Sequence, residues 1–284
     1  MEHLQSVWKD APAISRSFTV IPLVFHCASW RWSRELDVLK LSLDSFRNEG
    51  HYWAIFTAPF WEPAGGGLLQ SLFALLVAYW ILSGLPRIER AMGSGKLLLW
   101  SCCATIAVNV VFLLFALVLD LFYQARSWYS IWPLIPTRGL VPVAIYALTV
   151  HSLAAGEAET TLVGIPLKRK HYPLAIVVFF CLLNGAAELG VVAALALGYL
   201  RERIQIDAVL PSDGKIQRWE RSPVLFFGRR LFNGRWVRIT EADATAGTAL
   251  FGEARLPMQG RPVGRQQAPP EFRAFQGSGH RLGR

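Results

Sequence analysis

The chain has 284 residues, of which 53% are hydrophobic, 12% aromatic and only 17% charged. Soluble domains carry about 25% charged residues, so this composition argues against a soluble domain and indicates an integral membrane protein. The net charge is +9, and residues 201–284 contain 15 Lys and Arg against 8 Asp and Glu, a surplus of seven. Such a basic tail is typical of the positively charged side of a membrane protein, and we do not expect nucleic acid as a partner.

Three apolar runs follow an N-terminal segment at residues 1–17. The first, Phe18–Trp30, predicts a short span, whereas Gly67–Leu85 and Leu97–Leu119 are uncharged over 19 and 23 residues. At about 1.5 Å per residue, the two longer runs can cross a hydrocarbon core of ~30 Å. Between the first two runs, the aromatic stretch "HYWAIFTAPFWEP" is too short to cross, so we expect it to lie in the interface or to re-enter the membrane.

The link between the two long runs reads "RIERAMGSGK" and ends like a phosphate-binding loop. Such a loop needs Gly, four further residues and then Gly-Lys-Ser/Thr, but Arg90 and Leu97 occupy the first and last of those positions. We therefore predict a tight hairpin between two helices instead of a nucleotide site. In that hairpin Pro86 ends the first helix, and Glu89 pairs locally with Arg87 or Arg90.

Two further runs are Gly139–Ala155 and Tyr172–Leu200. The second is either one tilted helix of 29 residues or two short helices broken at Asn184-Gly185. With six spans, the segments on one side of the membrane hold 13 Lys and Arg against 6 opposite, whereas with five the balance becomes 8 against 11. The positive-inside rule therefore favours six spans with both termini on the positive side.

Few polar residues interrupt these runs. We expect Gln70 and Asn109 to make interhelical hydrogen bonds, and Asp120, near a helix end, to be solvated. The four cysteines lie in apolar runs without CxxC spacing. That pattern predicts a packing role, and we expect neither a metal site nor a cofactor.

The tail at 201–284 is polar and rich in Gly, Pro and Arg. Asn233-Gly234 stands between two short apolar and basic runs, which predicts a hairpin at 229–239. Beyond Gly252 the composition is typical of a disordered segment.

The stretch "HYWAIFTAPFWEPAGGGLLQSLFALLVAYWILSGLPRIERAMGSGKLLL" is similar to the front half of the rhomboid-like superfamily. The resemblance is carried by the aromatic loop and by a Glu-Arg-x-x-Gly-Ser turn, here Trp53, Thr57, Phe60, Glu89, Arg90, Gly93 and Ser94. It runs over roughly residues 18–200. It implies an all-α, six-transmembrane-helix bundle with a membrane-embedded aromatic loop and a basic extramembrane C-terminal tail.

Rhomboid proteases carry Gly-x-Ser-Gly at the fourth helix and a His on the sixth, where the His takes the Ser proton. In this sequence the matching positions hold Arg138, within "PTRGLVPVAIYAL", and Glu188, within "AAELGVVAALALGYL". Arginine is neither a nucleophile nor a base, and the His-x-x-x-Asn of the second helix is absent as well. The resemblance therefore points to the inactive branch, which includes the Derlins and rhomboid-like proteins with a ubiquitin-associated domain, and not to an enzyme.

We predict that Arg138 and Glu188 face each other where Ser and His would meet. In the alternative interpretation, Arg138 extends to the lipid headgroups and Glu188 meets water or Asn184.

Two functions follow. The first is a catalytically inactive scaffold of the endoplasmic-reticulum membrane, which binds other membrane proteins through its helices and its basic tail, with anionic lipid as a further candidate partner at the tail. The alternative is a supernumerary structural subunit of a large membrane complex, for example a respiratory complex or ATP synthase of the mitochondrial inner membrane. A transporter or channel would need a chain of intramembrane ionisable residues or an internal repeat, and the sequence shows neither.

Overall fold

The computed structural model describes residues 2–61, 67–137, 139–154, 157–162, 165–184, 188–200, 210–222, 235–240 and 242. These residues belong to one compact unit, Met1–Glu253, and most of them are helical. The helices are α1 (Glu2–Asp10), α2 (Ala13–Ser29), α3 (Ser33–Leu36), α4 (Leu43–Arg47), α5 (Ala54–Thr57), α6 (Gly67–Met92), α7 (Ser94–Ala125), α8 (Val141–Ala154), α9 (Tyr172–Asn184), α10 (Leu189–Tyr199) and α11 (Asp213–Glu220).

The predicted end of α6 at Pro86 is wrong, because the helix continues through this proline to Met92. Proline removes one backbone hydrogen bond and ends many helices. Here the following turn is held from outside the helix: Glu89 bonds to the start of α2, and the Arg90 guanidinium donates to the carbonyl of Asp10 at 2.6 Å. These tertiary contacts stabilise the last turn beyond the proline.

The run from residue 172 to residue 200 forms two helices, α9 and α10, with the break after Asn184. The all-α prediction misses a short element between α8 and α9. There, β1 (Glu159–Leu162) and β2 (Ile165–Lys168) pair as an antiparallel hairpin. Burial alternates along "ETTL", whose two threonines favour a strand, and in "IPLK" only Leu167 is partly buried.

The helices α8 and α10 run in the same direction and pack closely. A Cβ on Gly190 would collide with Thr137 Oγ1, and a Cβ on Gly198 would lie 2.5 Å from Thr149 Cγ2. Both contacts require a residue without a side chain, as is typical of small residues between membrane helices. The sequence "LGVVAALALGY" therefore forms a helix whose glycines face α8.

Four chain segments meet at one end of the assembly, which we call the basic end. They are the start of α2, the turn between α6 and α7, helix α11 and the segment 235–240. Ala13 N donates to Arg235 O at 3.1 Å, and Lys96 Nζ lies 2.8 Å from Asp213 Oδ1. The last turn of α8 lies at this end too, because His151 lines the same small pocket as Met92 at the end of α6.

The surface of this unit departs from the soluble pattern, although its core is apolar. Large apolar side chains are exposed on four helices: Val20, Ile21, Val24, Leu72, Leu75, Leu76, Tyr79, Val110, Leu114, Val118, Leu121, Phe122, Leu174, Val178, Phe179 and Leu182. Some polar and charged side chains are buried on α2, α6, α7 and α8: Ser15, Thr19, His26, Glu89, Ser94, Ser101, Thr105, Asn109, Asp120, Thr149 and Ser152. Apolar faces of this extent are rare on soluble monomers.

Helix α7 is long and apolar enough, at 32 residues, to cross a membrane. Helices α2, α8 and α10 are apolar but only 17, 14 and 11 residues long. The six-span arrangement accordingly stays a prediction, and α7 is the one helix among the described residues that is both long and apolar enough to cross a membrane.

Two polar residues of α7 give different outcomes. Asn109 Nδ2 donates to Ile55 O at 2.7 Å, so the predicted hydrogen bond to a neighbouring element is confirmed. The predicted solvation of Asp120 is wrong: its side chain is buried and accepts a hydrogen bond from Gln124 Nε2 at 2.7 Å, one turn further along the helix. The side chain of Gln70 lies outside the described residues.

Candidate functional site

Glu89 is the centre of a buried polar cluster at the basic end. Its side chain is fully buried, and four donors converge on its two carboxylate oxygens. Oε1 accepts from Ile14 N at 2.9 Å and from Ser94 Oγ at 2.5 Å, while Oε2 accepts from Ser15 N and Ser15 Oγ, both at 2.7 Å. The predicted local pairing of Glu89 with its neighbouring arginines is therefore replaced by these bonds to other segments.

The partners of Glu89 explain why a carboxylate is placed there. The first amides of a helix have no partner within the helix and form its positive end. Helix α2 begins after Pro12, whose side chain cannot cap it. Glu89, 74 and 75 positions away, takes the amides of Ser15 and Ile14 and so caps α2 from another helix.

Ser94 connects Glu89 to the C-terminal part of the chain. Its hydroxyl donates to Glu89 and accepts a hydrogen bond from Val237 N at 2.9 Å, and its own amide donates to Val237 O at 2.8 Å. Residues 235, 237 and 239 all bond through their main chains to other segments. An extended segment thus lies across the starts of α2 and α7.

A second buried carboxylate, Glu220 on α11, holds the same segment. It accepts from Trp236 Nε1 at 3.2 Å and from Ile239 N at 3.3 Å. Trp236 is 7% exposed and packs in the larger apolar core cluster. A Cβ on Gly95 would lie 2.9 Å from Glu220 Oε1, which places this carboxylate beside the first turn of α7. We call Ser15, Glu89, Ser94, Glu220 and residues 235–239 the clasp.

The remaining residues of the predicted turn motif also contribute to the clasp. Gly93 has φ +84, and a Cβ there would lie 3.0 Å from Ile239 Cα. A positive φ and a close backbone approach both favour glycine. The structure therefore brings Glu89, Arg90, Gly93 and Ser94 together at one point.

The aromatic loop residues lie away from the clasp. Trp53 Nε1 donates to Val38 O at 2.9 Å, and Thr57 Oγ1 is 3.4 Å from Leu39 O, so both tie α5 to the segment before α4. The ring of Phe60 stacks on Phe18 of α2 with centroids 6.5 Å apart. These contacts hold the loop against the helices.

The predicted pair at the degenerate catalytic positions is not resolved by the structure. Arg138 lies outside the described residues. Glu188 is half-buried at the residue preceding α10. Two positions later, Gly190 lies against Thr137, which is buried and donates its amide hydrogen bond to Leu41 O at 2.9 Å. The pairing of Arg138 with Glu188 stays a prediction.

One serine and one imidazole do meet within the described helices. His26 Nε2 on α2 lies 3.1 Å from Ser71 Oγ on α6. An activated nucleophile needs a base that is itself oriented by a third group, yet Nδ1 of His26 is buried without a hydrogen-bond partner among the described residues. The arrangement fits an interhelical hydrogen bond better than a catalytic dyad.

The sequence reasoning missed Ser15, Glu220 and Trp236. A tryptophan within a basic, Gly-rich tail was the available signal, because an isolated indole there needs a buried environment. The predicted hairpin at 229–239 lies largely outside the described residues, and its described part bonds to Ala13 and Ser94.

Comparison with known proteins adds no relative. Neither a family model, nor a curated protein, nor a solved structure matches the chain.

Proposed function

We propose that the chain is a catalytically inactive, rhomboid-like membrane scaffold that binds other membrane proteins through its helices and its basic tail. The observation that carries the proposal is the apolar surface, because large apolar side chains are exposed along α2, α6, α7 and α9. In the most apolar window of α7 only 39% of residues are buried, which suits a lipid-facing helix better than the core helix of a soluble protein.

The clasp supports a six-span topology. The start of α2, the α6–α7 turn, the α8–α9 link and the segments after α10 meet at the basic end. Tyr199 Oη at the end of α10 donates to Lys170 O, just before α9, at 2.8 Å. Four segments at one end are what six crossings with both termini on one side require.

The short helices support a function in a locally thin bilayer. At about 1.5 Å per residue, α8, α9 and α10 are about 16–21 Å long, which is less than the ~30 Å hydrocarbon core. A bilayer adapts to short spans by thinning. Thinning would lower the cost of admitting polar segments of client membrane proteins.

An apolar groove supplies a place for such clients. It lies between α2, α6 and the start of α8, and its lining includes Phe18, Pro22, Ala74, Val77, Ile81 and Val141. In a bilayer this shallow groove would offer an apolar contact surface for the side chains of a client helix.

The absence of proteolysis is part of the proposal. Its support is the Arg138 and Glu188 replacements together with the use of Glu89 and Ser94 as ties within the fold. The compartment proposed is the endoplasmic-reticulum membrane, with the mitochondrial inner membrane as the alternative.

The test is site-specific photocrosslinking in cells, with the crosslinker at Ala74 in the groove and, as control, at Gly84 on an open surface of the same helix. Several sub-stoichiometric membrane proteins captured at 74 and not at 84 would support the scaffold. A fixed set of stoichiometric subunits that survives detergent purification would support the structural-subunit alternative instead. Cleavage of a transmembrane peptide by the purified protein, lost in Glu188→Ala, would overturn the inactive assignment.

A further inference from the structure

The β1–β2 hairpin has one apolar and one polar face. The strand register pairs Thr160 with Leu167 and Leu162 with Ile165. Since side chains alternate between faces, these four residues share one face, and Glu159, Thr161, Pro166 and Lys168 share the other. Ile165, next to the tip, is 61% exposed, so the protein leaves the outer part of the apolar face open.

The base of the hairpin is charged, and ion pairs connect its residues to each other. Lys168 Nζ lies 2.7 Å from Glu157 Oε2, and Lys170 contacts the other oxygen of the same carboxylate. Hydrogen bonds from these two lysines hold the pKa of Glu157 at about 2. The Arg169 guanidinium lies 3.5 Å from His151 Nε2 on α8. The charged base is thereby fixed to the ends of α8 and α9.

The whole basic end carries a positive surplus. The described parts of residues 1–17, 86–96, 157–171, 210–222 and 235–240 hold thirteen Lys and Arg against seven Asp and Glu, a surplus of six. Two of the seven carboxylates, Glu89 and Glu220, are buried and do not contribute to the outer surface directly. Basic segments next to a membrane are attracted to anionic lipid, by ~1 kcal/mol per cation.

The hairpin is poorly suited to a partner strand. A proline cannot donate to a strand ladder, so the nitrogen of Pro166 faces the outer edge of β2. That edge therefore lacks a donor at the position where an added strand would need one. Binding to a lipid surface does not require a backbone donor at this edge.

We infer that this hairpin lies in the headgroup interface of an anionic leaflet, with Ile165 at the open outer part of its apolar face turned towards the acyl chains and the basic end above the headgroups. The inference rests on the proposed membrane placement of α8 and α9. A strand of four residues reaches about 13 Å. This length exceeds the depth of about 5–10 Å at which interfacial amphipathic segments bury their apolar faces, so the tip can reach that depth while the charged base stays at the headgroups.

The experiment uses the full chain with its four cysteines replaced by alanine and one new cysteine carrying an environment-sensitive fluorophore. The positions are Ile165→Cys on the apolar face, Thr161→Cys on the polar face as the matched control, and Leu114→Cys on the exposed face of α7. Each protein is reconstituted into phosphatidylcholine vesicles with or without phosphatidylserine. Lipids with a spin label at interfacial depth are used to quench the fluorophore at positions 161 and 165. Lipids with a spin label deeper in the acyl chain are used to quench the fluorophore at position 114.

We expect lipid quenching at 165 to exceed quenching at 161 by about twofold, and phosphatidylserine to increase it further. Equal quenching at 165 and 161 would overturn the inference. So would a water-excluded emission at 165 without lipid quenching, because protein would then cover the tip. Quenching at 165 that ignores phosphatidylserine would overturn the role of the anionic headgroups. Loss of quenching at 114 would instead show that the membrane placement itself is wrong.

Discussion

Ser94 Oγ donates a hydrogen bond of 2.5 Å to Glu89 Oε1, and the same hydroxyl accepts one from Val237 N at 2.9 Å. Glu89 at the end of α6 and Ser94 at the start of α7 thus join the start of α2 to Val237, which lies 143 positions after Ser94. The side chains of Glu89 and Ser94 are thus engaged in hydrogen bonds that connect segments of the fold. That use favours a structural role for Glu89 and Ser94 over a catalytic one.

Replacement of Glu89 should destabilise the protein strongly. Glu89→Ala would leave the amides of Ile14 and Ser15 and two hydroxyls without their acceptor inside the protein, and each such loss costs about 1–3 kcal/mol. We expect a loss of at least ~3 kcal/mol, measured as a lower thermal midpoint in detergent. Glu157→Ala is the control, because that carboxylate is exposed. Equal midpoints for the two variants would contradict the capping role of Glu89.

The clasp predicts that Trp236 contributes strongly to the stability of the protein and that Trp219 contributes little. Trp236→Ala removes a buried indole and the donor to Glu220, and we expect a cost of about 3–5 kcal/mol with faster proteolysis after α11. Trp219→Ala, on the same side of the molecule but 46% exposed, should change stability little. Pulse proteolysis in detergent measures both. A stable, protease-resistant Trp236→Ala protein would show that residues 235–239 do not dock.

The contact of α8 with α10 predicts a graded response to added methyl groups. Gly190→Ala and Gly198→Ala should each cost about 1–3 kcal/mol, since both sites are already filled by threonine side chains. Thr137→Ala should rescue much of the Gly190 defect, because the nearest clash is with Thr137 Oγ1. Thr149→Ala should not rescue Gly198→Ala, because the Thr149 Cβ itself would lie 2.6 Å from the new methyl. Gly84→Ala on α6 has open space and serves as the control. Thermal midpoints that fall equally in all three glycine variants would refute the close packing.

Glu157 predicts a specific pH dependence. Its pKa is lowered from 4.5 to about 2 by hydrogen bonds from Lys168 and Lys170. A carboxyl whose folded-state pKa is depressed stabilises the protein above its unfolded-state pKa, and this contribution is lost as the pH falls through the folded-state value. The difference in thermal midpoint between the parent protein and Glu157→Gln should therefore be constant above pH 5, shrink below 4.5 and vanish near 2. A difference that stays constant over this range would contradict the ion pairs.

The pair at the degenerate catalytic positions is tested by a double-mutant cycle. If Arg138 and Glu188 interact, either single alanine variant strands a charge and should cost ~3–5 kcal/mol, while the double variant should cost clearly less than the sum. Additive thermal midpoints would favour the alternative in which the two side chains have separate partners.

The positions of the long helices follow from the sequence because hydrophobic runs and their flanking charges are local properties. The break between α9 and α10 shows this, since the charge balance favoured two helices and the structure has two. Pro86 shows where prediction from local sequence fails. Its local preference to end a helix is outweighed by bonds from Glu89 and Arg90 to residues near the N-terminus, which no local pattern reveals.

The sequence by itself determined that the protein is mostly helical and determined the order of its apolar helices. Only the tertiary structure decided that Glu89 caps a distant helix, that Asp120 is buried and that Trp236 docks on the starts of α2 and α7. The physical reason is that hydropathy is summed over neighbours along the chain. A buried hydrogen bond, in contrast, depends on which segments the packed helices bring within 3 Å of each other.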